Sequence, residues 1–166
     1  MKNKKVKAVI FDIDGVILDS SAIWQQVEKK GLTGDAVWDY FGKHANSEVV
    51  TTNTKMIKLI ENFHILGYKI IILTARSESI RKHTMFRLNL DFYNNSEYKI
   101  EYELYMRKED DISTSYEVKQ NHLENILKFH NVFCAYDDDD SNCKMFSENG
   151  ILTFKVCEGN IKSFNS

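Results

Sequence analysis

Five short apolar runs alternate with segments patterned for helices, and this alternation limits the possible fold more than any other feature. The runs are Val6–Phe11, Tyr68–Leu73, Tyr102–Met106, Val132–Tyr136 and Ile151–Val156. Each is too short for a helix and rich in β-branched or aromatic residues, the pattern of strands buried on both faces. Between them, Thr52–Leu66 sets Met56, Leu59, Ile60 and Phe63 on one helical face. Ser77–Leu88 opens with a serine and a glutamate, which favour a helix start. Glu117–Phe129 spaces Val118, Leu123, Ile126 and Leu127 at helical intervals, and Ser141–Glu148 stops before Gly150. Strands and helices in this order predict an α/β chain with three layers and a central parallel sheet of about five strands.

One interval departs from the alternation. Residues 16–50 are too long for a tight strand-to-helix connection and hold two short amphipathic segments, Ala22–Lys30 and Asp35–His44, parted by Gly31 and Gly34. The expectation is a single domain, 1–166, with 16–50 as a small helical cap inserted after the first strand. A pair of surface helices covering a sheet edge is the alternative. Trp24, Trp38, Tyr40 and Phe41 in this insertion either form its own core or offer faces for a base.

Composition removes several classes of function. No run of about 18 apolar residues spans a membrane and no signal peptide is present, so a cytoplasmic location is expected. The net charge of −2 argues against a globally basic nucleic-acid binder, though not against a local groove. Cys134, Cys143 and Cys157 are odd in number and lack C-x-x-C spacing, which predicts reduced thiols, no disulfide and no structural zinc.

The chemistry lies at the ends of the apolar runs. Asp12 and Asp14 follow the first run and flank one isoleucine, with Gly15 next. Two carboxylates so close repel each other, and a divalent cation with a taste for hard oxygens, Mg2+, relieves the conflict. Open α/β sheets bind ligands at this end of their strands. Leu73-Thr74-Ala75-Arg76 ends the second run, Arg107 ends the third, Lys119 starts the helix beyond it, and Asp137–Asp140 follow the fourth. A calcium loop starting at Asp12 is excluded, because Val16 and Ile17 stand where an oxygen ligand and a glycine are needed.

These motifs, in this order, resemble the haloacid dehalogenase-like (HAD) phosphohydrolases, whose fold is a Rossmann-like sandwich. Within them the chain is most similar to the 3′-phosphatase domain of phage polynucleotide kinase/phosphatase. The similarity is carried by Leu73–Arg76, Thr84, Arg87, Tyr105-Met106-Arg107, Lys119 twelve residues on, Asp137-Asp138, Met145-Phe146 and Gly150. Two departures stand out: Asp111-Ile112-Ser113 replaces an acidic-arginine turn, and no G-x-x-x-x-G-K-[ST] phosphate loop of a kinase occurs.

The resemblance implies a Mg2+-dependent phosphomonoesterase. Asp12 attacks phosphorus to form an aspartyl-phosphate, and Asp14 acts as acid and then base. Asp12, the Asp14 carbonyl, Asp137 and Asp138 form the metal set, with the Asp14 side chain slightly off the ion. Thr74 and Lys119 bind and stabilise the phosphate, while Ala75, Arg76 and Arg107 complete the substrate-binding set. The implied partner is a phosphorylated nucleotide or nucleic-acid end, a 3′-phosphorylated strand first. A 5′-nucleotidase or deoxynucleotidase acting on free mononucleotides is the alternative, and a non-catalytic phosphate-binding module a further one.

Overall fold

A computed structural model describes residues 5–157 and 160–163. Strand β1 (Val6–Phe11) occupies the middle of the sheet, because its last four residues are fully buried and apolar on both faces. The other long strands are β4 (Lys69–Ser77), β5 (Tyr102–Arg107), β6 (His130–Asp137), β7 (Leu152–Cys157) and β8 (Asn160–Ser163). Their order is β5-β4-β1-β6-β7-β8. All pairings are parallel except β7 with β8, which is antiparallel. The sheet therefore has six strands, one more than expected: the short β8 folds back on β7 as an edge.

Side chains alternate across the sheet. Val9 and Phe11 point into one apolar layer with α3 (Thr54–Ile65) and α4 (Arg81–Asn95), while Ala8 and Ile10 point into the other. The second layer is closed by α5 (Ser115–Phe129) and α6 (Asp140–Glu148). On the α3 face the rings of Phe11, Tyr136 and Phe154 stack across three neighbouring strands, with centroids 4.9 and 5.0 Å apart. The result is the expected three-layer sandwich.

From β1 the chain moves outward through β4 and β5, then returns to the other side of β1 for β6 and β7. The strand order thus reverses between β1 and β6, and open α/β sheets place their ligand crevice at such a switch point. Asp12 and Asp137 stand at the carboxyl ends of these two strands.

Two boundaries differ from the sequence reading. Strand β4 runs on to Ser77, because its pairing with β5 resumes at Ser77 and Arg107 beyond an irregularity. Ser77 then caps a 3-10 turn (Glu78–Ile80), and α4 begins only at Arg81. That helix continues past Leu88 to Asn95, carried by the buried Asp91 and Phe92.

The insertion contains α1 (Ser21–Lys29) and α2 (Asp35–His44). A two-residue ribbon, β2 (Leu18–Asp19) against β3 (Thr51–Thr52), ties its two ends together. Ile23, Val27, Phe41 and Ala45 join the same buried cluster as the sheet face, so the insertion packs continuously onto the body. Among the described residues no helix is long and apolar enough to cross a membrane, and the three cysteines are free.

Candidate active site

Asp12 continues the β1–β6 ladder by one bond, its N–H donating to the Tyr136 carbonyl at 3.0 Å. The chain then turns sharply through Gly15, whose φ is 77°. A Cβ at this glycine would lie 2.3 Å from the Asp138 Oδ2, so only glycine lets the Asp138 carboxylate approach. The turn leaves the Asp12 side chain buried, with Oδ1 accepting the Ile13 N–H at 2.7 Å.

Lys119 reaches this carboxylate from the second turn of α5. A capping box, Thr114 with Glu117, fixes the start of that helix and hence the path of the lysine. Its Nζ lies 2.8 Å from Asp12 Oδ2 and 2.7 Å from Asp137 Oδ2, with 1% of the side chain exposed. Asp137 is held further by Asn142 Nδ2 at 3.0 Å and by the Asp139 N–H at 3.1 Å. Carboxylate oxygens of Asp12, Asp137 and Asp138 all fall within 4.8 Å of one another.

One ammonium cannot neutralise three carboxylates, and the site is strongly perturbed. Burial raises the Asp12 carboxyl well above its ordinary range; Lys119 opposes this, and the charges of Asp137, Asp138 and Asp14 add to it. Burial and the Asp137 charge push Asp138 up to about 6. Burial disfavours the Lys119 ammonium, but Asp12 and Asp137 outweigh it and hold the group protonated above the usual lysine range. The cluster carries excess negative charge on hard oxygen donors, which suits a divalent cation.

The Asp14 carboxylate lies outside that cluster. Arg76 holds it with a two-pronged grip, Nε to Oδ2 at 2.8 Å and Nη2 to Oδ1 at 2.7 Å. The same guanidinium donates to the Ala45 carbonyl at 3.0 Å and to Asn46 Oδ1 at 2.8 Å, in the turn after α2. Arg76, placed by the sequence in the substrate-binding set, is thus engaged by a neighbouring carboxylate. Thr74 is buried at the same strand end, its hydroxyl oxygen accepting the Arg76 N–H at 3.2 Å.

Arg107 is engaged elsewhere. Its Nε donates to the Ala75 carbonyl at 2.9 Å, and its Nη1 to the carbonyls of Asp111 and Ser113. It therefore straps the loop that carries Asp111-Ile112-Ser113, and the Ala75 carbonyl is occupied by it. Asp139 caps α6 through the N–H groups of Ser141 and Asn142, and Asp140 pairs with Lys155 at 2.7 Å. In the insertion, Phe41 is buried and packs on Trp24 at 5.1 Å, whereas Trp38 touches Trp24 edge-on and stays 66% exposed. Asn46 and Asn142, which hold Arg76 and Asp137, were not singled out from the sequence; an isolated asparagine carries no signal of its own.

A parallel sheet with a carboxylate pair, a lysine and an acidic cluster at its switch point defines a phosphatase of the haloacid dehalogenase-like class. Within that class the chain belongs to the family described as the polynucleotide kinase PNKP phosphatase domain, which matches residues 6–161. No curated protein matches the chain. Among solved structures it is similar to a chain of the Pnkp1/Rnl/Hen1 complex, at 25% identity and a TM-score of 0.67, over 93% of this chain and 47% of that one. It also resembles a class C acid phosphatase from Bacillus anthracis (18% identity, TM-score 0.61, 85% of this chain and 55% of that one). A putative beta-phosphoglucomutase from Thermotoga maritima shares the fold at 17% identity and a TM-score of 0.60, covering 97% and 88%. The chain spans about half the length of the Pnkp1 complex chain it matches.

Proposed function

We propose that the protein removes phosphate from the 3′ end of a polynucleotide, with Asp12 as nucleophile. The observation that carries this reading is the Lys119 bridge between Asp12 and Asp137 at 2.8 and 2.7 Å. It holds the buried nucleophile against rotation and sets a positive charge where a transferring phosphate gathers negative charge. The three clustered carboxylates fit Mg2+, with Asp12, Asp137 and Asp138 as side-chain ligands and the Asp14 carbonyl as a fourth. When bound, the ion neutralises phosphate charge and lowers its repulsion from Asp12.

An Asp12 oxygen bonds to phosphorus as the bond from phosphorus to the leaving oxygen breaks, giving an aspartyl-phosphate. Asp14, once one of its oxygens is released by Arg76 and protonated, gives that proton to the departing 3′ oxygen. Water then attacks phosphorus, Asp14 takes the water's proton, and phosphate leaves with Asp12 restored. The Thr74 hydroxyl and Lys119 hold the phosphoryl oxygens through both halves. Residues 16–50 act as a small cap that walls the leaving-group side, since Ala45 and Asn46 bind the arginine that grips Asp14.

The polynucleotide substrate is supported by the family match. Asp12→Asn should lower release of phosphate from a 3′-phosphorylated oligonucleotide by at least about a thousandfold in the presence of Mg2+. A rate within a few-fold of wild type would reject the nucleophile. Preference for free 5′-mononucleotides over 3′-phosphorylated oligonucleotides would reject the substrate.

A further inference from the structure

The return leg of the insertion, residues 45–52, is tied to α4 by an ion pair that the proposed reaction does not use. Arg87 and Asp91 lie one turn apart on that helix and pair at 2.8 Å, Nε to Oδ2, with 15% and 8% of their side chains exposed. The rest of the guanidinium donates to two carbonyls of the leg, Ser47 at 3.2 Å and Val50 at 2.7 Å. The second Asp91 oxygen accepts from the Thr52 hydroxyl at 2.8 Å. An open cavity of about 580 Å3, lined by Asn46, Val50, Arg87 and Asp91, runs alongside. On this side the leg is therefore held by hydrogen bonds rather than by close packing.

The tie leads by consecutive contacts to the reaction centre. Pinning the Ser47 carbonyl sets the two residues before it, and both of these meet Arg76: the Ala45 carbonyl at 3.0 Å and Asn46 Oδ1 at 2.8 Å. Those two acceptors fix the plane of the Arg76 guanidinium, which binds both oxygens of Asp14 at 2.8 and 2.7 Å. Thr84, one turn before Arg87 on α4, also touches Arg76 Nη1, at 3.5 Å. A rigid fork with every nitrogen engaged transmits position well, because it cannot rotate without losing several bonds at once. A group that transfers a proton is sensitive to such placement, and an error of about 1 Å can cost about a hundredfold in rate.

We propose that Arg87 and Asp91 are positioning residues of the reaction: through the return leg they hold Arg76 in the plane from which it orients Asp14. The inference rests on the acid–base role given to Asp14 under the proposed function. It makes an ion pair on α4 govern the proton-transfer step while leaving attack on phosphorus alone.

Phenyl phosphate and p-nitrophenyl phosphate, given to the whole chain with Mg2+, separate these steps. The two are nearly the same shape, but only the first needs a proton on its leaving oxygen. In Arg87→Gln, kcat for phenyl phosphate should fall about tenfold and that for p-nitrophenyl phosphate less than about twofold, with KM unchanged for both. Thr52→Val leaves the ion pair intact and should move the ratio of the two rates about threefold in the same direction. In an Arg76→Lys background, Arg87→Gln should change that ratio less than about twofold, since the tie then has no fork to hold. Backbone amides of residues 45–50 should exchange hydrogen faster in Arg87→Gln than in wild type. Equal losses on the two phosphates, or effects of Arg87→Gln and Arg76→Lys that multiply in full, would overturn the positioning role. Faster exchange in Arg87→Gln, with neither phosphate hydrolysed by wild type, would keep the tie and reject the proposed function. Hydrolysis of both by wild type, with the ratio unaltered in Arg87→Gln and Thr52→Val, would keep the function and reject the inference.

Discussion

The guanidinium of Arg76 binds both oxygens of Asp14 and two groups of the insertion, with 2% of its side chain exposed. A planar fork can hold a carboxylate in one orientation, and a lysine cannot. Arg76→Lys should therefore keep the charge and lose the aim, lowering kcat for a 3′-phosphorylated nucleotide about a hundredfold. The loss on p-nitrophenyl phosphate should be much smaller, because its leaving group departs without needing a proton. Equal losses on the two substrates would show that Arg76 does not act through Asp14. Gly15 works by a different means, an absent side chain. In Gly15→Ala the new Cβ would meet Asp138 Oδ2 at 2.3 Å on a backbone with φ of 77°. The Asp138 carboxylate must retreat, and the Mg2+ concentration for half-maximal activity should rise about 10- to 100-fold. Calorimetric titration with Mg2+ measures the same change without turnover.

Helices of this fold are held by buried polar ties as well as by their apolar faces. Glu61 on α3 accepts from Lys58 Nζ at 2.9 Å and, past the end of α4, from Ser96 Oγ at 2.7 Å and the Glu97 N–H. The Lys58 bond, followed by that of Ser96, draws the Glu61 carboxyl down from 4.5 to about 2. Between these values the unfolded chain holds the proton and the folded chain does not, so stability rises with pH there. The contribution is complete above the ordinary glutamate value and is lost as pH falls toward about 2. Glu61→Ala should cost about 1–3 kcal/mol at neutral pH. Its denaturation midpoint should also vary less between pH 2 and 4.5 than that of wild type, as followed by urea unfolding.

Over the whole molecule the opposite sign appears at the switch point of the sheet. Without metal, Asp12 and Asp138 titrate above their ordinary value of 3.8, Asp138 at about 6, so the folded state keeps protons that the unfolded chain has released. The fold is therefore weakened as pH rises through that window, by carboxylates that crowd one another. Mg2+ should reverse this. At a hundredfold excess over Kd it adds about 2.7 kcal/mol, raising Tm by about 5–10 °C for a chain of this size. The rise should be greater at pH 7 than at pH 5, where protons compete for Asp138. Differential scanning calorimetry at the two pH values, with and without Mg2+, checks both statements. An equal Tm at both pH values with and without the ion would mean that the cluster is not a metal site.

Much of this was legible in the order of residue types. Buried parallel strands are nearly continuous apolar runs, so β1, β5, β6 and β7 stand within a residue or two of their expected bounds. The carboxylates and Lys119, picked out by residue type at the strand ends, lie together in the fold, with Lys119 Nζ 2.8 Å from Asp12 and 2.7 Å from Asp137. What periodicity does not carry is pairing in space. Strand β4 extends to Ser77 only because Arg107 of β5 lies beside it, and β8 exists only as the return of β7. The partners of the arginines were decided in the same way, by whichever acceptors the fold brought near: Asp14, Ala45 and Asn46 for Arg76, and the Ala75 and Ser113 carbonyls for Arg107. Residue type determines which chemistry a side chain can perform, and tertiary packing alone decides which neighbour it performs it with. Hydrogen bonds and charge pairs act over a few ångströms in space, whatever the separation along the chain.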